Sequence, residues 1–148
     1  MEGLIREYFG LLLRRERKRQ EIPFSIEEQM EIYQKLSTYF SGFNITTERR
    51  AEIKSAIAEY ATPLLKKYGE ENDDKDKIIN ALTNHALLDR KGEKVGFLND
   101  FVLGYLLMEA FITYHEDPEI KEYLNETTFS FIDKALVVAK SRKEGNRK

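Results

Sequence analysis

HEDPE at residues 115–119 sets one histidine beside three acids, the residue types that hold a divalent metal through nitrogen and oxygen. The chain has two histidines, His85 and His115, and no His-Glu-x-x-His pair. A lone histidine at a helix junction reads as part of an exposed charge cluster, so no metal site is expected. His85 closes a helix-like stretch, where an imidazolium would favour the helix dipole, and it reads as structural. Glu109 is the one acid in the apolar stretch 101–113. A carboxylate enclosed there would have a shifted pKa, but a solvent-facing edge or an arginine partner accounts for it equally well. No glycine-rich loop ends in Gly-Lys-Ser/Thr, no serine has a convincing base, and the absence of cysteine removes thiolate chemistry. The expectation is therefore a chain without catalytic residues and without a metal, not an enzyme.

Basic residues form the next cluster. RRERKR at 14–19 carries five cations, Arg14, Arg15, Arg17, Lys18 and Arg19, around Glu16, and KSRKEGNRK at 140–148 carries five against one acid. The net charge of the whole chain is −2, so the body between them is acidic. The first segment reads as a solvated helix face that could also contact an anionic partner, and the second as a basic tail. With 148 residues, 34% charged and 41% apolar, the chain is long enough for one self-sufficient globular domain. Its apolar runs reach only about a dozen residues, short of a bilayer span. MEGLIREYF contains Glu2, Arg6 and Glu7 and no small-residue cleavage site, unlike a signal peptide. A cytoplasmic protein with no membrane partner is expected.

The elements that must carry these residues are mostly helical. Leu4, Ile5, Tyr8, Leu11 and Leu12 recur at helical spacing over 2–20. Pro23 breaks the pattern, and Ser25 with Glu28 forms a capping box for a second helix from Ile26, with Met30, Tyr33, Leu36 and Phe40 on its stripe. Gly42 is its natural stop. Thr46 or Thr47 can cap a third helix, which Pro63 should kink or split near Ala61. A fourth, short helix covers 75–85, with Ile78, Ile79 and Leu82 apolar. The sequence ALLDRKGEKVGFLN then predicts one β-hairpin, about 86–98, and Asn99-Asp100 opens a helix to about 115 whose apolar residues face nearly all round. Gly104 inside it fits close approach of a neighbour. Asp117-Pro118 starts a last helix to about 140. The expected fold is mainly α, a helical bundle with a winged-helix-like unit and one short hairpin. Its parts are an N-terminal helix (1–22), the helical domain (23–140) and a basic tail (141–148).

Helix, helix, helix, hairpin, helix is the order of a winged-helix unit, which would make a nucleic-acid-binding protein the alternative reading. The stretch DDKDKIINALTNH, in the place of a recognition helix, is acidic at its start, and the hairpin DRKGEK has three cations against two acids. Both disfavour entry into a groove.

GFLNDFVLGYLLMEAF, preceded by LTNHALLDRKGEKV, resembles the end of the ATPase module of STAND-type NTPases, especially the NACHT group. The matching residues are Leu87, Leu88, Phe97, Asp100, Phe101, Tyr105 and Leu106. LLLRRERKRQEIPFSIEEQMEIYQKLS is similar to the charged helix before that family's winged-helix region, so the resemblance covers about 4–115. It implies a regulatory lid: in the family an ADP-bound core holds the winged-helix region closed, exchange to ATP opens it, and many prokaryotic members are implicated in antiviral defence. A family histidine before the aspartate reaches the ADP phosphate; here that position is Asn99, which with Asp100 is the candidate nucleotide-sensing pair and also the natural helix cap. The family's phosphate loop and magnesium-binding acids are absent from this sequence, so ATP, ADP and magnesium would enter only through an ATPase domain in cis or in trans. The chain is either a fragment of a larger switch protein or a free-standing lid.

Overall fold

A computed structural model describes residues 2–69 and 72–114. Its elements are α1 (Glu2–Arg19), α2 (Ile26–Gly42), β1 (Thr47–Arg49), α3 (Arg50–Tyr68), α4 (Asn72–Thr83), β2 (Leu88–Lys91), β3 (Lys94–Phe97) and α5 (Asp100–Tyr114). The fold is mainly helical with a small antiparallel sheet, as the sequence predicts. The segments expected at 115–119, 117–140 and 141–148 lie outside the described residues.

Helix α2 begins where its capping box dictates. The Ser25 hydroxyl accepts the Glu28 N–H at 3.1 Å and the Glu28 carboxylate accepts the Ser25 N–H at 2.9 Å. The helix includes Gly42, and the left-handed residue that turns the chain is Asn44, at φ 54°. The buried side of α2 carries Ile32, Tyr33, Leu36 and Phe40 together with the polar Gln29 and Ser37. Helix α5 packs on it with Val102, Leu103, Leu106, Leu107 and Ala110 buried. Gly104 is buried as well.

Three expectations are corrected. The first concerns the region 46–49, which is strand and not a helix cap. Thr47–Arg49 pairs with β3, so the sheet has three strands in the order β1-β3-β2. Helix α3 therefore starts at Arg50 behind Arg49, without a side-chain cap. The close approach of β1 depends on Gly96, where a Cβ would lie 2.4 Å from the Thr46 carbonyl oxygen. Second, α3 runs unbroken through Pro63. Proline removes one helical hydrogen bond, but Glu59 and Pro63 are both exposed, so the freed carbonyl can meet water. Third, the core face of α1 is Phe9, Leu13 and Glu16; Tyr8 and Leu11 are 50% and 63% exposed. Phe9 stacks on Tyr105 of α5 with ring centroids 4.7 Å apart, and that contact sets the rotation of the helix.

The hairpin lies where the turn residues place it, with Gly92 at φ 71° between β2 and β3. Side chains alternate across the sheet. Leu88, Val95 and Phe97 face the core, and Phe97 meets Phe40 edge-on at 5.2 Å. Lys91, Lys94 and Arg49 point the other way, into solvent.

Candidate functional site

The joint between β3 and α5 is built by pairing on one side and capping on the other. Leu98 extends the ladder by donating its N–H to the Leu87 carbonyl at 2.9 Å. The Asn99 side-chain oxygen accepts the Val102 N–H at 2.9 Å, and the Asn99 carbonyl accepts the first helical bond from Leu103 at 3.2 Å. Asn99 is thus the N-cap of α5. Asp100 is exposed in the first turn, where a carboxylate suits the positive helix end. For an anion the joint offers the Asn99 amide N–H groups, with the Asp100 carboxylate beside them.

The basic run on α1 divides by burial. Arg14, Arg15, Arg17, Lys18 and Arg19 are exposed, whereas Glu16 is 2% exposed. Arg19 reaches both Glu16 oxygens, at 3.0 and 2.9 Å, and the Gln20 side-chain amide donates to the same carboxylate. Burial opposes ionisation of Glu16. The hydrogen bonds from Arg19 and Gln20, with the nearby charges, outweigh it and hold the carboxyl below its ordinary value. The acid in RRERKR turns inward, so the exposed surface of that turn is cationic.

Below Glu16 lies a polar node that sequence reasoning did not foresee. His85 is 1% exposed, just past the end of α4. Its Nδ1 accepts the Leu87 N–H at 3.1 Å, which leaves the proton on Nε2, 3.1 Å from the Gln29 side-chain oxygen. The Gln29 amide donates to the carbonyls of Phe24 at 3.2 Å and Leu13 at 3.4 Å. Tyr33 lies against the imidazole with centroids 4.8 Å apart and donates its hydroxyl to the Leu82 carbonyl at 2.7 Å. Burial pushes the His85 pKa down to about 4, against the pull of the Glu16 charge. The expected imidazolium at a helix end is therefore a neutral, enclosed ring. The expectation that His85 is structural agrees with this geometry, in which it fastens α1, α2 and the α4–β2 link together.

Glu28, next to Gln29 in the first turn of α2, performs the same kind of fastening toward α3. Beyond its capping box it accepts from the Tyr68 hydroxyl and from Lys67 at 3.3 Å, joining α2 to the end of α3. Burial raises its pKa, but the bonds from Tyr68, Ser25 and Lys67 dominate and lower it to about 2. Glu109 is half-buried on α5. Among the described residues no three acids or histidines gather as a metal site, and no helix is long and apolar enough to cross a membrane. Comparison of the chain with protein-family models, with curated proteins and with solved structures finds no match.

Proposed function

We propose that this chain is a non-catalytic regulatory and interaction module, the lid region of a STAND-type switch ATPase of the NACHT kind. The observation that carries the reading is the placement of the residues behind the resemblance. Leu87, Leu88, Phe97, Tyr105 and Leu106 are buried and Phe101 is half-buried, all around one joint. A shared pattern of apolar positions has physical meaning when those positions form a core. The element order adds support: α2, β1, α3, α4, β2, β3 is the helix–strand–helix–helix–strand–strand order of a winged-helix unit, with α5 following at once.

The rest of the chemistry favours docking over reaction. His85, Gln29 and Glu28 hold elements together, and Asn99 caps α5. One amide donor beside a carboxylate is a poor fit to a nucleotide phosphate, so the reading rests on packing and not on nucleotide contact at Asn99 and Asp100. ATP, ADP and magnesium belong to the partner ATPase domain, and the cytoplasm is the compartment this reading implies. The alternative, a winged-helix protein inserting α4 into a DNA groove, is disfavoured by the exposed Asp74 and Asp76 at the start of that helix.

The test is capture of the purified chain on a NACHT-type ATPase domain encoded in the same or the adjacent reading frame, loaded with ADP or with a non-hydrolysable ATP analogue. Retention by the ADP form and release by the ATP form is the expected result. Turnover of ATP by the chain alone, or no capture in either state, overturns the proposal.

A further inference from the structure

The antiparallel register places three cations in one row. Arg49 of β1 lies opposite Lys94 of β3, and Lys94 lies opposite Lys91 of β2. Directly opposed residues share a face of a sheet, so all three side chains leave the same surface, and all three are exposed. With neighbouring strands about 4.8 Å apart, the row is about 10 Å long. Like charges placed directly opposite destabilise a sheet, and among the described residues none of the three is in an ion pair. The next row on that face is Thr47, Gly96 and Asp89, with a single acid. Two more cations, Arg90 on the opposite face of β2 and Arg50 at the start of α3, line an open cleft of about 210 Å³ together with Asp89; Arg50 donates to the Asn84 side-chain oxygen at 3.3 Å and Arg90 to the Gly92 carbonyl at 3.1 Å.

We infer that this outer face of the sheet is a contact surface for the phosphate backbone of a nucleic-acid duplex, engaged without reading sequence. Composition selects that partner over a protein. The paired residues of the face include no apolar or aromatic side chain, the exposed Leu98 follows only at the end of β3, and two of the three cations are lysines, whereas protein interfaces have an apolar centre and are depleted in lysine. Backbone contacts need only cations and polar groups at strand-like spacing. The exposed acids Asp74 and Asp76 do not cancel the row. They lie nine and seven residues before the end of α4 that meets the sheet at Thr83, about 10–14 Å along the helix, beyond the screening length of about 8 Å at physiological salt. The contact uses the sheet and not α4, so it does not depend on groove entry, and it is independent of the lid reading.

Fluorescence anisotropy of a labelled 20-base-pair duplex of arbitrary sequence, titrated with the full chain between 50 and 200 mM salt, tests the inference. Each of Arg49→Ala, Lys91→Ala and Lys94→Ala should flatten the log–log salt slope by about 0.9, and the triple variant by about 2.7. Over that salt range the unaltered chain then loses about 40-fold more affinity than the triple variant. Circular dichroism should show the variants melting no earlier than the parent, which separates lost contact from lost fold. Absence of duplex binding at 50 mM salt overturns the inference. So does an unchanged slope in the triple variant while Arg14→Ala/Arg15→Ala/Lys18→Ala on α1 abolishes binding, or preference of the row for polyglutamate, which would assign it to an acidic protein.

Discussion

Around His85 each polar atom that leaves water meets another; across the outer face of the sheet three cations stand abreast, and among the described residues none of them is in an ion pair. Among the described residues no buried side-chain nitrogen or oxygen lacks a partner. The contrast follows from what each environment charges for an unmet group. An enclosed donor or acceptor without a partner costs about 1–3 kcal/mol, so the node can exist only if it closes. A solvated cation beside another costs a few tenths, so the row survives unpaired in the free chain. Closed polar groups are explained by the fold that contains them. An open row of one sign is not, and it points outward to something else.

Breaking the node should have the largest effect. Gln29→Ala removes the acceptor for the His85 Nε2–H and the donor to the Phe24 and Leu13 carbonyls at once. The expected loss is about 3 kcal/mol, read as a fall in the urea midpoint and a drop of about 6–12 °C in melting temperature. A loss under about 0.5 kcal/mol would match an ordinary surface substitution and would mean the node holds nothing together.

The node should also be felt through pH. The folded-state pKa of His85, about 4, lies below its ordinary value of 6.5. The unfolded chain therefore takes up the proton first as pH falls. The stability that comes from a neutral His85 is complete above 6.5, declines down to about 4 and is constant below that. Between pH 7.5 and 5 the loss is about 2 kcal/mol. Glu28 works in a lower window. Its pKa is depressed from 4.5 to about 2, so its contribution is present above 4.5 and lost as pH falls toward 2. Denaturation at stepped pH should show both stages, and His85→Asn should flatten the upper one while leaving the lower.

How much of this contrast could be seen in the sequence depended on the range of the interaction. The start of α2 was legible because Ser25 and Glu28 are neighbours, the hairpin because Gly92 marks its turn, and the Asn99 cap because it acts three residues away. Strand β1 was not legible. ITTERR is short and polar, and it becomes strand only because distant Gly96 leaves room for the Thr46 carbonyl. Without β1 the row has two cations instead of three. Glu16 was hidden inside a basic run, and the inward rotation that buries it is set by Phe9 on Tyr105. The charge of His85 was misjudged because the Leu87 N–H, which fixes its proton, arrives from the chain after the helix.

That dependence on Gly96 supplies a way to sharpen the comparison without touching a charge. In Gly96→Ala the new Cβ would sit 2.4 Å from a backbone oxygen, which can be relieved only by moving β1. The expected cost is about 1.5 kcal/mol, within the usual range for overpacking, with the His85 node intact as judged by the same upper pH stage. Displaced from β3, Arg49 should leave the row, and amide exchange should speed up at β1 before it does at β2. Uniform loss of protection across the sheet would show that β1 is not a separable edge.

The smallest effect has the opposite sign. Lys94→Thr removes the middle of three like charges and puts a β-branched residue on an exposed strand. The free chain should gain about 0.3 kcal/mol. The part due to repulsion should fade in 0.5 M salt, where screening already separates the cations, while the part due to strand propensity should remain. A gain in stability at a position whose substitution weakens duplex binding would mark Lys94 as kept for a partner and not for the fold. A loss would place the cation among the residues that hold the sheet together, and the open row would then be as structural as the closed node.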